Sequence, residues 1–338
     1  MSNAVQFYIT TLLVYAGVDV LAAWGLNLQF GVAGLLSFAF IVFQAAGAYT
    51  AAVLTLGPQS NNSGFQHYIA GYELPFPLPL IAAGVVGAAI SVPIGIIALR
   101  KLRSDYQAVA LLVISIIASS VAINEVNLFN GAAGLALVPS PLADSLNVDA
   151  ITYQWIFVGY TLVICGLGYI VMHRITHSPL GRAMRAMRDN EEAAEAFGKN
   201  VVALRLIAFA IGGAFAGISG AILVEFIGAW APSGWLYPET FVLLAAILVG
   251  GTGNSLGVIV GVLLVPIGFQ EAARFLPPIG RAGLIDAIQW IVIGVLLLLF
   301  LWFRPQGILP ERRRRMPKDD EHPGTSQVIE ATGTQMSG

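Results

Sequence analysis

Nine stretches of apolar residues divide the chain, at roughly 5–25, 30–55, 78–99, 105–126, 151–172, 201–225, 239–252, 256–276 and 283–303. A bilayer core about 30 Å thick takes about 20 apolar residues per helix. The pattern therefore predicts an all-α polytopic membrane protein with eight to nine transmembrane helices. The stretch 239–252 is too short to cross upright by itself, and it reads as starting earlier, tilting, or forming a re-entrant segment buried in protein. Residues 1–310 form one transmembrane unit in this reading. The remaining 311–338 are mixed charged and polar, cannot bury a core, and are expected to be a disordered tail.

Composition agrees, since 57% of the 338 residues are hydrophobic and only 11% are charged. The net charge of −2 says little about partners, whereas its distribution sets the orientation. Cytoplasmic loops collect Lys and Arg. With nine spans, Arg100, Lys101 and Arg103 share a side with Arg174, Arg182, Arg185, Arg188, Lys199 and Arg205, and with Arg304, Arg312 to Arg315 and Lys318. Only Arg274 and Arg281 fall opposite, so the amino terminus is expected outside and the carboxyl terminus in the cytoplasm. The outer intervals Gly57–Leu78 and Asn127–Ala150 carry no Lys or Arg and are rich in Asn, Ser, Gly and Pro. Asn61-Asn62-Ser63 matches a glycosylation sequon of low information content. Met1–Thr10 lacks a basic segment and a small-residue cleavage site, so no cleavable signal peptide is expected. The single Cys165 lies in an apolar run and excludes an internal disulfide framework.

One interval breaks the pattern. Gly181–Lys199, GRAMRAMRDNEEAAEAFGK, is the longest polar helical stretch between two apolar ones. As a single helix its Arg residues would sit at the positive amino end of the macrodipole and its Glu residues at the negative end. Splitting it removes the conflict. Arg182 to Arg188 becomes a basic extension of the fifth span, a membrane-edge anchor. A second helix, Asn190–Phe197, follows with Asp189 as cap, Glu192 at the third position and Gly198 as a left-handed stop. Asn190, Ala194 and Phe197 share one face, and Glu192, Glu195 and Lys199 the other. A docking surface is the functional reading, with Phe197 its apolar plug; a solvated amphipathic turn is the plain one.

Other motifs carry less chemistry. Gly250–Gly257, GGTGNSLG, lacks the preceding strand and the Gly-Lys-Ser/Thr of a phosphate loop, so close helix packing or a tight cytoplasmic turn is favoured over nucleotide binding. Gly253, Gly257 and Gly261 supply a small-residue face, as do Gly213 and Gly217. Asp19 and Glu125 fall in or at the end of spans, where charge is costly and should face a bundle interior, a pore or an interface. Glu225, Glu239, Glu271 and Asp286 lie near span ends and read as interfacial. His173 and His177 have the spacing of a metal pair without a third ligand, and His67 and His322 lie in a loop and the tail. No catalytic constellation and no metal site are expected. Two clusters suggest a substrate path: Ser37, Gln44, Gly47 and Tyr49, together with Gly31 and Gly34, in the second span, and Asn130 with Gly131 after the fourth. Ordinary membrane packing is the equal alternative.

Several blocks resemble a known family. Gly181–Gly198, with its Glu192-Ala193-Ala194-x-x-x-Gly198 core, is similar to the EAA loop of ATP-binding cassette importer permeases. That loop together with NLQFGVAGLLSF…GAYTAA, YPETF…LVGGTGNSLGVIVG and the terminal FRPQGILP resembles the M-type permease subunit of branched-chain amino acid importers, in the family's order and across about residues 10 to 310. The resemblance implies a coupling loop at 181–199, with Asp189, Glu192, Ala193, Ala194, Phe197 and Gly198 contacting the ATPase. It further implies a homologous H-type permease partner, two cytoplasmic ATPase subunits that hydrolyse ATP with Mg, an extracytoplasmic substrate-binding protein, and a bacterial or archaeal plasma (inner) membrane. The chain itself would bind no cofactor and no nucleic acid and would not be an enzyme. Ala39-Phe40 stands where the family often has Gly-His, and Asn130–Leu135 departs from a Gly-Gly-Ser/Pro-Asp/Asn-Gly-Leu pattern. Related systems carry other amino acids, urea, amides or small organic acids, and these stay open as substrates. The competing classes are an ATP-independent secondary transporter or channel and, with less support, an intramembrane enzyme.

Overall fold

A computed structural model describes residues 3–58, 66–99, 104–141, 148–269, 284–304 and 306–311. The sequon at 61–63, Arg100, Lys101, Arg103, Glu271, Arg274, Arg281, the side chain of Asp286, His322 and the tail 312–338 lie outside the described residues.

The chain is built from apolar helices. In order they are α1 (Asn3–Asn27), α2 (Phe40–Thr55), α3 (Leu78–Leu99), α4 (Ser104–Asn124), the single turn α5 (Val126–Phe129), α6 (Ala150–His177), α7 (Pro179–Asp189), α8 (Glu191–Ala196), α9 (Val201–Ile227), α10 (Tyr237–Gly250), α11 (Ser255–Val262) and α12 (Leu284–Phe303). A two-residue antiparallel pair, β1 (Leu135–Ala136) with β2 (Ala229–Trp230), ties the loops after α5 and α9, in register Leu135↔Trp230.

Helical segments fall in each of the nine expected windows among the described residues, and nine full crossings are not confirmed. Among the described residues, six helical segments are long and apolar enough to cross: Asn3–Val32, Leu78–Ala98, Tyr106–Asn124, Ala150–His177, Val201–Ile227 and Pro232–Gly250. The second window is corrected most. Residues 28–32 prolong α1 as a π-helical turn, 33–39 are largely non-helical, and α2 starts only at Phe40. At about 1.5 Å per residue, the 16 residues of α2 reach only about 24 Å and the 14 of α10 about 21 Å. These short helices meet near their starts, where Ile41 N donates to Thr240 Oγ1 at 3.3 Å and the Phe38 and Phe241 rings lie 4.8 Å apart. Non-helical backbone at this depth is tolerated because protein surrounds it: Val32, Leu35, Ser37 and Ala39 are all buried.

The core is a close junction of α2, α3 and α9. A Cβ on Gly217 would lie 2.2 Å from the Ala83 carbonyl oxygen, one on Gly47 2.2 Å from Gly217 Cα, and one on Gly213 2.6 Å from the Gly87 carbonyl oxygen. Only small residues let three helices approach this closely, which is what drives association where lipid is as apolar as the side chains. A second small-residue seam joins α10 to α11 through Gly250, Gly257 and Gly261. Gly253 leaves that seam. It sits in the intervening turn with φ +77°, and its N–H donates to Asn27 Oδ1 at 2.9 Å.

The polar contacts sort to two ends. At one end α7, α8, the α1–α2 break, the turn 251–254 and residues 304–311 gather. At the other, Tyr49, Gln66, His67, Leu128, Asn130 and the β1–β2 pair gather.

Candidate functional site

The loop between α6 and α9 is built by its caps. Pro179 cannot donate an N–H and disfavours a helical residue before it. Ser178 is accordingly extended, and its Oγ accepts from Gly181 N at 3.3 Å, starting α7 as a separate helix. This corrects the expectation that Arg182 to Arg188 extend the fifth span. One face of α7 is apolar and buried through Gly181, Met184 and Met187.

Asn190, not Asp189, caps α8. Asp189 is still helical, the last residue of α7, whereas Asn190 is extended at φ −157° and its Oδ1 accepts from Ala193 N at 3.0 Å. Glu192 is therefore the second residue of α8 and not the third. Glu191 and Glu192 occupy its first turn and Arg188 the last turn of α7, each at the favourable end of its dipole. Gly198 has φ +72°, and its N–H donates to Glu195 O at 2.8 Å. Ala194 is buried beneath this turn, while Phe197 is 84% exposed. Glu191 pairs with Arg205 at the start of α9, so both ends of the short helix are tied down.

The basic residues of α7 make inward contacts that the edge-anchor reading left out. Arg185 and Arg188 both bond Glu311, a residue the sequence reading assigned to the tail, and Arg188 also bonds the Gly31 carbonyl.

The residues expected to line a substrate path do not form one cluster. Ser37 is fully buried in the α1–α2 break, and its Oγ has no hydrogen-bond partner among the described residues. Gln44 is buried, with its backbone oxygen facing Gly220, and Gly47 belongs to the helix junction. Tyr49, Asn130 and Gly131 organise the opposite end. The Tyr49 hydroxyl bonds Leu128 O, and its ring lies 4.9 Å from Phe129 and 5.1 Å from Trp230. Asn130, with φ +59°, accepts from His67 N at 3.1 Å and donates to Gly134 O at 2.6 Å.

Sequence reasoning passed over Asn27 and Gln29. Both are fully buried beside the break; Asn27 Nδ2 and Gln29 Oε1 have no partner among the described residues, although Gln29 Nε2 donates to Phe209 O at 3.3 Å. Amides at the end of an apolar run were the available signal.

Glu225 is not interfacial. It is 2% exposed and accepts from the Tyr160 hydroxyl at 3.3 Å, because α6 covers the carboxyl-terminal end of α9. Glu125 is exposed between α4 and α5, and Asp19 lies within electrostatic range of Glu239. The His173 and His177 ring centroids lie 4.1 Å apart with the rings tilted by 33°, and no group of three metal-ligating side chains occurs among the described residues.

Taken together, a bundle of apolar helices with a broken α1–α2 connection and a capped polar loop at one end defines a polytopic helical membrane protein. The sequence profile described as branched-chain amino acid transport system / permease component matches residues 8–301, and the chain belongs to that family. It is 29% identical to the high-affinity branched-chain amino acid transport system permease protein LivM of Salmonella typhimurium, over 88% of this chain and 69% of that protein. It is 27% identical to the probable branched-chain amino acid transport permease protein LivM of Methanocaldococcus jannaschii, over 96% and 98% of the two chains. Similarity extends to the permease protein LivH of the corresponding Escherichia coli system, at 28% identity over 86% and 90%. No solved structure matches the chain. The expected resemblance to M-type permeases is thus borne out at the level of the family.

Proposed function

We propose that this chain is the M-type transmembrane subunit of an ATP-driven importer for branched-chain or related amino acids. The observation that carries this is Phe197, a large apolar side chain 84% exposed on a short, doubly capped helix that projects between two membrane helices. An exposed aromatic held so firmly fits a partner's cleft. Ala193, Ala194 and Gly198 shape the turn, and Asp189 and Glu192 present charge around Phe197. The partners in this reading are an H-type permease, two cytoplasmic ATPases that hydrolyse ATP with Mg, and an extracytoplasmic binding protein. The chain contributes passage and coupling and no catalysis.

The path runs through the α1–α2 break, where Ser37 and Gln29 are buried polar groups with unused hydrogen-bonding capacity. Tyr49, Asn130 and Gly131 form the outer cover. All nine helical windows cross or line the bilayer in this reading, with α2 and α10 as paired short helices, the carboxyl terminus cytoplasmic and the whole in a bacterial or archaeal inner membrane. A second reading, in which urea, an amide or another small organic acid is carried, rests on the departure of Ala39-Phe40 from the family's frequent Gly-His.

The test is uptake of radiolabelled leucine into vesicles holding the assembled importer. Uptake that requires ATP and the cognate ATPase supports the proposal. Uptake that survives ATP depletion and removal of the ATPase assigns the chain to secondary transport.

A further inference from the structure

Around Arg188, three parts of the chain that are remote in sequence meet at one side chain. Its guanidinium donates through one terminal nitrogen to the Gly31 carbonyl in the α1–α2 break and through the other to Glu311 Oε2 at 3.0 Å. Arg185, one turn earlier on α7, holds the other Glu311 oxygen and donates to Thr176 O at 2.7 Å. Glu311 is fixed in turn by its own backbone neighbours: Ile308 N and Leu309 N donate to Val249 O and Gly250 O, both at 2.9 Å, and Asn254 Nδ2 donates to Leu309 O at 3.1 Å. The break lies directly on this knot, since a Cβ on Gly34 would come within 2.7 Å of Arg188 Cγ. On its other side Gly253 lies against the Glu311 carboxylate and bonds Asn27 Oδ1.

Resting on the importer reading above, we propose that Arg188 and Glu311 are the positioning residues through which the ATPase-docking loop moves the α1–α2 break. The geometry is specific to arginine. A planar fork can bind a carbonyl and a carboxylate at once, whereas an ammonium is a single point charge. The Arg188 and Glu311 side chains are 24% and 20% exposed, so the pair is shielded from water in a way an exposed surface pair is not. Because α7 runs directly into the Asn190 cap of α8, a tilt of the docked loop must displace the Gly31 carbonyl, the Glu311 segment or both. Gly31 stands two residues from Gln29 and six from Ser37, the buried polar groups of the proposed path. The link therefore joins the cytoplasmic partner to the path without passing through the α2–α3–α9 junction.

The test uses the full importer in proteoliposomes, with leucine uptake and ATP hydrolysis measured on the same preparation. Glu311→Gln keeps the shape and removes the charge. The expected result is ATPase subunits retained and ATP still hydrolysed, with leucine taken up per ATP falling about threefold to tenfold. Glu311→Asp, which restores the carboxylate, is expected to recover part of the loss. Should Glu311→Gln fail to reach the membrane, Arg188→Lys carries the test, since it keeps the charge and loses the fork. Unchanged uptake per ATP in the variant that inserts overturns the link, as does a loss of uptake and hydrolysis in strict proportion. Failure of the importer reading shows separately, as ATP-independent uptake by the unaltered complex, and it overturns both.

Discussion

Phe197 and Gly198 divide the work of the loop. Phe197 supplies apolar surface, and Gly198, at φ +72°, aims it. Truncating Phe197→Ala removes the side chain whose burial is worth about 1.5–3 kcal/mol. Affinity for the ATPase subunit is expected to fall at least about tenfold, as read by co-purification across a dilution series. Gly198→Ala forces an L-residue into the left-handed region at a cost of about 1–2 kcal/mol. Gly198→Pro cannot adopt it at all and also loses the N–H bonded to Glu195 O. Uptake in Gly198→Pro is expected to drop to background while membrane insertion stays normal; transport at the unaltered rate would remove the loop from the mechanism. Asn190→Ala, the loss of a helix cap worth about 1 kcal/mol, is expected to lie between these extremes.

Elements tell where the sequence was legible. Long apolar runs gave α3, α4, α6 and α9 within a few residues, because hydrophobicity alone fixes such helices in lipid. The left-handed position of Gly198 was readable because glycine favours it. The break at 33–39 was hidden, since AGLLSFA is as apolar as its neighbours and its non-helical backbone depends on α7 and α10 packed against it. The cap was misplaced by one residue because Asp189 and Asn190 are equally good capping types, and only the extended backbone at 190 decides between them. Glu311 looked like tail because nothing in a charged segment announces its distant partners. The small-residue junction gives the sharpest element-scale prediction. Gly217→Val places new atoms against the Ala83 carbonyl, and overpacking of this kind costs about 1–3 kcal/mol or more. The variant is expected to melt earlier in detergent than the unaltered protein, whereas Gly159→Val, where a Cβ meets nothing within 4 Å, is expected to melt with it.

At the scale of the molecule, the proposed orientation places the two polar ends on opposite sides of the bilayer. In a Cys165→Ser background, His67→Cys is expected to react with an impermeant maleimide added outside intact cells, and Phe197→Cys only after the membrane is opened. Reaction of both from one side would contradict the arrangement, because the two positions belong to opposite polar clusters. The family supplies the class of transport, and the proposed route runs through the α1–α2 break. In the proposed function, what separates an importer subunit from a free-standing carrier is contact between the capped loop and an ATPase. That contact is tested most directly by placing a photo-crosslinking residue at position 197 and irradiating native membranes. The expected product is an adduct of this chain with the cytoplasmic ATPase subunit. An adduct with lipid or with an extracytoplasmic protein, and none with the ATPase, would contradict that contact.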